Sequence, residues 1–127
     1  MSEATRESHG RIEVAPEVLA TIAHYAVLRI EGVLKLAAVP TDRGWFFKRN
    51  TPIHQEGIVL DLVDNKVKFD IYVIMEPHVN IMETSRALQR AIIEAVDTMV
   101  GIPIEAVNVH VEDVSYGQSK GSLKNNF

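Results

Sequence analysis

Alternating stretches of the chain place acidic side chains and a histidine where they could do acid–base or metal chemistry. In residues 106–114, valines alternate with polar residues that include His110 and Glu112. Asp61 and Asp70 occupy polar positions of two earlier alternating stretches. If these stretches are strands of one sheet, the four polar side chains share its outer face, because successive side chains point to opposite faces. A histidine among carboxylates could bind a metal or transfer a proton. A solvated polar face explains the same residues, so we predict no catalytic residue and no metal site.

Other motifs that carry chemistry are missing from the sequence. The chain has no cysteine, which excludes disulfides, a thiol nucleophile and thiolate metal ligands. No two of its five histidines have the i, i+4 spacing of a helical metal site, and its seven glycines are scattered rather than grouped in a phosphate-binding loop. No nucleophile-elbow motif surrounds a serine. We therefore expect no enzymatic activity, no cofactor and no small-molecule substrate.

The segment RGWFFKRN, residues 43–50, concentrates aromatic rings and cations in a stretch without periodicity. Three interpretations stay open. The rings could fold back and cap an open end of the core, since each buries a large area. They could form a patch for a protein partner, because aromatic residues and Arg dominate interface energies. They could also rest on an anionic membrane surface, where each cation contributes about 1 kcal/mol. The candidate partner-contact or membrane-contact residues are Arg43, Trp45, Phe46, Phe47, Lys48 and Arg49.

Composition limits the classes of partner. The 127 residues suit one domain, and the formal net charge of -4 argues against nucleic acid, whose binding rests on clustered Lys and Arg. An RNA-binding sheet also needs exposed aromatic rings, and only Tyr72 is predicted on the outer face. A small regulatory or nucleic-acid-binding module remains the alternative function. The N-terminus MSEATRESHG has no apolar signal region, and no apolar run approaches the ~20 residues of a membrane span. We expect a cytoplasmic protein.

Periodicity predicts the element order β-α-β-β-β-α-β. The expected strands are residues 11–15, 33–39, 57–63, 66–75 and 106–114. Asp64 and Asn65 predict a hairpin turn between the third and fourth strands. The first helix begins at Pro16 and ends near Gly32, and the second is capped by Asn80 and by Gly101. Val18 and Met99 belong to the apolar stripes of the two helices. The expected core contains Phe69, Ile71, Val73, Val107, Val109, Leu88, Ile92, Ile22 and Ala26.

These elements predict an α+β two-layer sandwich. Both helices should cover one face of a mixed sheet, while the other face stays wet. The single domain spans residues 10–116 and includes a flexible loop at 41–56. Residues 1–9 and 117–127 are polar and are expected to be disordered. The open sheet leaves two edge strands with unpaired backbone groups, and one edge strand and the wet sheet face are the candidate self-association surfaces.

Two long stretches of the sequence resemble the alkaline shock protein family of bacterial envelope-stress proteins, also called the Gls type. The first is GRIEVAPEVLATIAHYAVLRIEGV. The second is VKFDIYVIMEPHVNIMETSRALQRAIIEAVDTMVGIPIEAVNVHVEDV, with its Asn80-Ile81 helix entry, Gln89 and Met99-Val100-Gly101 helix end. Two features depart from the family pattern. Pro77-His78-Val79 stands where many members carry a glycine, and RGWFFKRN is outside the pattern.

The resemblance implies a non-catalytic protein of cell-envelope homeostasis and of alkaline or general stress. Such proteins are cytoplasmic, some are held at the inner face of the membrane by small membrane-anchored partners, and self-association is expected. The resemblance therefore implies a homo-oligomeric scaffold with a small membrane-anchored protein partner. It supplies no catalytic or ligand residue.

Overall fold

A computed structural model describes residues 9–40 and 53–116 of the chain, with seven helices and strands. They are α1 (Pro16–Leu28), β1 (Val33–Leu36), β2 (Ile53–Gln55), β3 (Ile58–Val63), β4 (Lys66–Met75), α2 (Ile81–Met99) and β5 (Ile104–Val114). Two predictions are corrected. Residues 11–15 form no strand, and β2 lies inside the predicted loop 41–56, where it pairs with β3.

The long strand β4 organises the sheet. On one edge it pairs antiparallel with β3 and, further along, with β1, so that β1 and β3 lie end to end. On its other edge it pairs in parallel with β5 from Val67 to Met75, with register shifts after Val67 and after Val73. β2 continues the sheet beyond β3. The sheet is therefore mixed, as predicted, and β5 is one of its outer strands.

The hairpin between β3 and β4 follows from two residues. Val63 and Lys66 are register partners, which leaves Asp64 and Asn65 as a two-residue loop. Both have positive φ, 48° and 67°. Two left-handed residues give the loop the twist of the flanking strands, and Asp and Asn tolerate that conformation. The predicted hairpin is confirmed.

The ends of α2 also form as the sequence predicts. The Asn80 side chain accepts a hydrogen bond from the Glu83 backbone N–H at 3.0 Å, which satisfies one of the unpaired donors of the first turn. At the other end, Gly101 adopts φ 77°, and its N–H donates to the Val96 carbonyl at 3.0 Å. These two residues therefore set the length of the helix.

Both helices lie on one face of the sheet: α1 contacts β1, β2 and β3, while α2 contacts β5 and α1. Phe69 is fully buried between the partly exposed Lys68 and Asp70, which confirms the predicted register of β4. All nine predicted core residues belong to the core between sheet and helices, with Val109 and Ala26 at its partly buried margin. The prediction that Val18 and Met99 face the core is wrong, since they are 43% and 68% exposed.

The opposite face of the sheet is only partly wet. Val59 and Tyr72 are buried there beneath Ala37 and Val39, which follow β1 along the chain. Strand alternation predicted that Tyr72 is exposed, but only 1% of this residue is accessible. The ring is covered by residues distant in sequence, so it offers no stacking surface to a nucleic-acid base. This removes the aromatic residue on which an RNA-binding sheet would have depended.

Candidate functional site

The polar cluster on the far face of the sheet consists of Asp70, Tyr72, Asn108 and His110. The parallel register of β4 and β5 aligns Asp70 with Asn108 and Tyr72 with His110. One carboxylate oxygen, Asp70 Oδ1, accepts a hydrogen bond from Asn108 Nδ2 at 3.2 Å and lies 2.9 Å from His110 Nε2. The imidazole stacks on the Tyr72 ring, with centroids 4.4 Å apart and planes inclined by 11°.

This geometry holds His110 from two directions. The ring rests on a buried tyrosine and its Nε2 contacts a carboxylate that is itself only 18% exposed. Hydrogen bonding and stacking both favour a single ring orientation. The arrangement is a histidine–carboxylate pair, which could orient an imidazole for proton transfer or merely join two strands.

Only two of the four polar residues singled out from the sequence come together. Asp61 on β3 has Lys68 as its cross-strand partner, and Glu112 is exposed near the end of β5. Among the described residues, no group of three or more His, Cys, Asp or Glu could hold a metal ion. Asn108 was missed as a member of the cluster, although its spacing of two from His110 indicated the same face.

A second feature is an open groove between the outer surfaces of α1 and α2, with a volume of about 660 Å³. We call it the interhelical groove. Small side chains at facing positions, Ala91 and Ala95 among them, leave this space between the helices. Its most exposed apolar side chains are Val18, Tyr25 and Met99, which are 43%, 63% and 68% accessible. Sequence reasoning placed Val18 and Met99 in the core because helical periodicity does not distinguish a core face from a groove.

The interhelical groove is also charged at its margin. Arg29, the residue that caps the end of α1, and Glu94 of α2 belong to its lining, so that the two sides of the groove carry opposite charges. An apolar floor with charges at the margin is the usual character of a surface that receives an amphipathic segment.

The third feature is the outer edge of β5. Gln89 reaches from α2 to this strand, and its Nε2 donates to the Val107 carbonyl at 3.0 Å. In the described sheet, β5 pairs with β4 alone, so its other edge carries no strand. The contact residues proposed from the sequence, Arg43, Trp45, Phe46, Phe47, Lys48 and Arg49, lie outside the described residues.

Together the fold and these surfaces define a small α+β domain with an apolar groove and an open sheet edge. The sequence profile of the alkaline shock protein 23 family, described by its cell envelope-related function, matches residues 4–116. The chain belongs to this family. The resemblance inferred from the two long sequence stretches is thereby confirmed.

Relatives of this chain are found in Streptococcus pyogenes and in Bacillus subtilis. The uncharacterized protein Spy1535 of Streptococcus pyogenes serotype M6 is 32% identical over 111 residues, covering 87% of this chain and 83% of the relative. The uncharacterized protein YqhY of Bacillus subtilis (strain 168) is 28% identical over 111 residues, covering 84% and 78%. Among solved structures, the copper form of the MamM CTD has a TM-score of 0.49 at 17% identity and covers 80% of this chain and 89% of that chain. In the part of the chain that the structure describes, no helix is long and apolar enough to cross a membrane.

Proposed function

We propose that this protein is a non-catalytic scaffold of the cell envelope that associates with itself and holds a small membrane-anchored protein. The interhelical groove is the observation that carries the proposal. The family's cell envelope-related function supports the setting. The partner's contribution would be an amphipathic helical segment outside its membrane anchor.

The groove has the chemistry that such a segment requires. Val18, Tyr25 and Met99 expose apolar surface to solvent, and a clustered apolar patch on a protein surface commonly marks a contact site. A helix laid in the groove would bury its apolar stripe on these side chains. Arg29 and Glu94 would then meet opposite charges on the polar flanks of the partner, which fixes its orientation more than its affinity.

The polar cluster fits this non-catalytic proposal as a structural feature. Asp70, Asn108 and His110 join β4 to β5 through their side chains, and β5 is held to the sheet by β4 alone in the described part. Side-chain contacts between parallel strands add to the backbone ladder. The open edge of β5 offers a surface for self-association, since unpaired strand edges readily accept another strand.

The proposal is tested by the distribution of the protein between fractions of its native cells. The double variant Tyr25→Glu/Met99→Glu puts charge into the groove and should lower recovery in the membrane fraction at least several-fold. Both side chains are exposed, so the unfolding midpoint should change little. Leu62→Glu is the matched control, because Leu62 is 50% exposed at the hairpin, away from the groove. Equal membrane recovery of the groove variant and wild type would contradict the proposal.

The same experiment also tests the aromatic residues Trp45, Phe46 and Phe47. If Trp45 and Phe46 contact a partner or the membrane, Trp45→Ala/Phe46→Ala should reduce membrane recovery and leave the melting temperature nearly unchanged. If the rings cap the core instead, the variant should melt at a much lower temperature, because burial of large rings contributes several kcal/mol. Membrane recovery would then stay intact in the fraction that remains folded.

A further inference from the structure

The segment from Arg11 to Ala15 has the side-chain pattern of a strand but pairs with no strand in the described part of the chain. Ile12 and Val14 alternate with Arg11 and Glu13, yet Ile12 is 87% exposed and Val14 is 46% exposed. Arg11 and Glu13 form an exposed ion pair, at 3.3 Å. Ala15 already has extended geometry, with φ -66° and ψ 141°. Nothing within the described residues explains why two large apolar side chains recur at a spacing of two.

The outer edge of β5 offers backbone groups that match this segment. On the β5 side of β4, Val67 donates to Pro103 and Met75 accepts from Ser115. In a parallel ladder, a residue whose N–H and C=O groups face the neighbouring strand forms hydrogen bonds with the residues just before and just after its register partner. Phe69, Ile71 and Val73 follow the same alternation, and their register partners are Val107, Val109 and Val111. The N–H and C=O groups of these three valines therefore point away from β4, toward the open edge.

We propose that residues 11–15 of one molecule add as an antiparallel strand to the open edge of β5 in a second copy of this chain. This inference rests on the self-association included in the proposed function and assigns its surface. Val14 lies opposite Val109 and Ile12 opposite Val111, each as a hydrogen-bonded pair. The side chains of directly opposed residues share one face, so Ile12 and Val14 join the valines on the helix side of the sheet.

Three observations support this register. The next pair would be Pro16 opposite Val107. Proline has no N–H to donate, and the Val107 carbonyl is already occupied by Gln89, so the pairing ends at the same point on both strands. On the outer face, Glu13 lies opposite His110, and Arg11 lies opposite the exposed Glu112, so that a guanidinium meets a carboxylate.

Met82 on α2 supplies the third observation. It lies two turns before Gln89 and so shares the side of the helix from which Gln89 reaches β5. Its side chain is 60% exposed. Ile12 of the second copy would pack beneath it. The exposure of Met82, Ile12 and Val14 in the single chain thus has one common explanation.

The same pairing within one molecule is disfavoured by the path of the chain. Residue Pro16 begins α1, which contacts β1, β2 and β3, whereas α2 contacts β5. α2 therefore separates the start of α1 from the open edge. Packed helices lie 8–10 Å apart, so residues directly before Pro16 would have to cross a helix to reach their own β5.

Association is measured by analytical ultracentrifugation of the full chain. Ile12→Glu/Val14→Glu should raise the dissociation constant about tenfold or more, because it removes two cross-strand apolar pairs and adds charge. The unfolding midpoint should not change, since both side chains are exposed. The control Leu62→Glu/Val63→Glu alters residues that are 50% and 43% exposed at the hairpin and should associate as wild type does.

Cysteine pairing tests the register, since the natural chain has no cysteine. A mixture of the single variants Val14→Cys and Val109→Cys should form a mixed disulfide under mild oxidation, and such a bond can only join two molecules. Opposed residues of a hydrogen-bonded pair have Cα atoms about 5.5 Å apart, within disulfide range. A mixture of Glu13→Cys with Val109→Cys should not cross-link, because a shift of one residue moves the side chain to the other face.

Two results would overturn the inference. The first is that Val14→Cys and Glu13→Cys form mixed disulfides with Val109→Cys equally often, while the Ile12→Glu/Val14→Glu variant associates as wild type does. The other is a monomeric, internally cross-linked product from the double variant Val14→Cys/Val109→Cys. Either result leaves the proposed function open to its own test. That test measures the membrane recovery of the Tyr25→Glu/Met99→Glu variant, and these two residues lie in the interhelical groove, away from β5.

Discussion

At the scale of single residues, the polar cluster contains a histidine–carboxylate pair, an arrangement that occurs both in catalytic sites and in structural contacts. Asp70, Asn108 and His110 lie on neighbouring strands and complete one another's hydrogen bonds. Tyr72 adds a stacked ring beneath the imidazole. These contacts tie β5 to β4 on the far face, where the helices cannot reach. The contacts within the cluster are therefore sufficient for a structural role, which is to hold β5 against β4.

Replacement of His110 by Ala tests that role. It removes one hydrogen bond and one stacking contact, so the free energy of unfolding should fall by about 1–2 kcal/mol in urea denaturation. Membrane recovery should stay at the wild-type level. Glu112→Ala, at an exposed neighbouring position, serves as the control and should lose less than about 0.5 kcal/mol. A substrate turned over by the wild type and not by His110→Ala, or a stoichiometric metal bound through His110, would refute the structural interpretation.

At the scale of elements, the junction between β1 and β3 depends on one glycine. Tyr72 of β4 bonds both sides of the junction: its N–H donates to the Gly57 carbonyl at 2.8 Å and its carbonyl accepts from the Ala37 N–H at 2.7 Å. Gly57 has φ 78°, and a Cβ there would lie 2.7 Å from the Leu36 Cβ. The two strands can meet end to end only because this position lacks a side chain.

Gly57→Ala is therefore expected to cost more than alanine at another left-handed glycine. Gly101 is the matched control, since its φ is 77° and a Cβ there would meet nothing closer than 3.8 Å. Both variants should lose about 1–2 kcal/mol through backbone strain. Gly57→Ala should lose roughly 1–3 kcal/mol more through overpacking against β1. Equal losses in denaturant titrations would mean that the junction relaxes without cost.

At the scale of the whole molecule, one core joins the sheet to both helices. Phe69 and Ile71 of β4, Leu88 and Ile92 of α2, and Val27 of α1 are all fully buried. Since the helices contact different strands, neither layer could bury its apolar face without the other. Loss of packing at the centre should therefore weaken the entire fold rather than one element.

Phe69→Ala and Ile92→Ala should each lower the free energy of unfolding by about 2–5 kcal/mol, through lost transfer energy and the cavity left behind. The transition should remain a single cooperative one when followed by circular dichroism and by fluorescence. Leu62→Ala, at a position 50% exposed, should cost less than about 1 kcal/mol. A core variant as stable as the Leu62 variant would contradict this account of the core.

Several elements could be predicted from the sequence because their signals are local. Asp64 and Asn65 favour left-handed geometry whatever surrounds them, so the hairpin and its register were predictable. Asn80 and Gly101 act within one turn of α2, so its ends were predictable too. The alternation along β4 and β5 likewise indicated which side chains face the helices, because the period of a strand does not depend on its neighbours.

Tertiary structure decided the features that depend on residues distant in sequence. Alternation at Ile12 and Val14 predicted a strand, but a strand also needs a partner edge, and none within the described sheet pairs with it. Tyr72 is buried because Ala37 and Val39 cross the far face, and the interhelical groove exists because two helices meet at small side chains. The sequence by itself determined the α+β class, the hairpin, the limits of α2 and the family. Which apolar side chains are covered, and which remain available for contact, was decided only by the packing of distant segments, since burial depends on the chain as a whole.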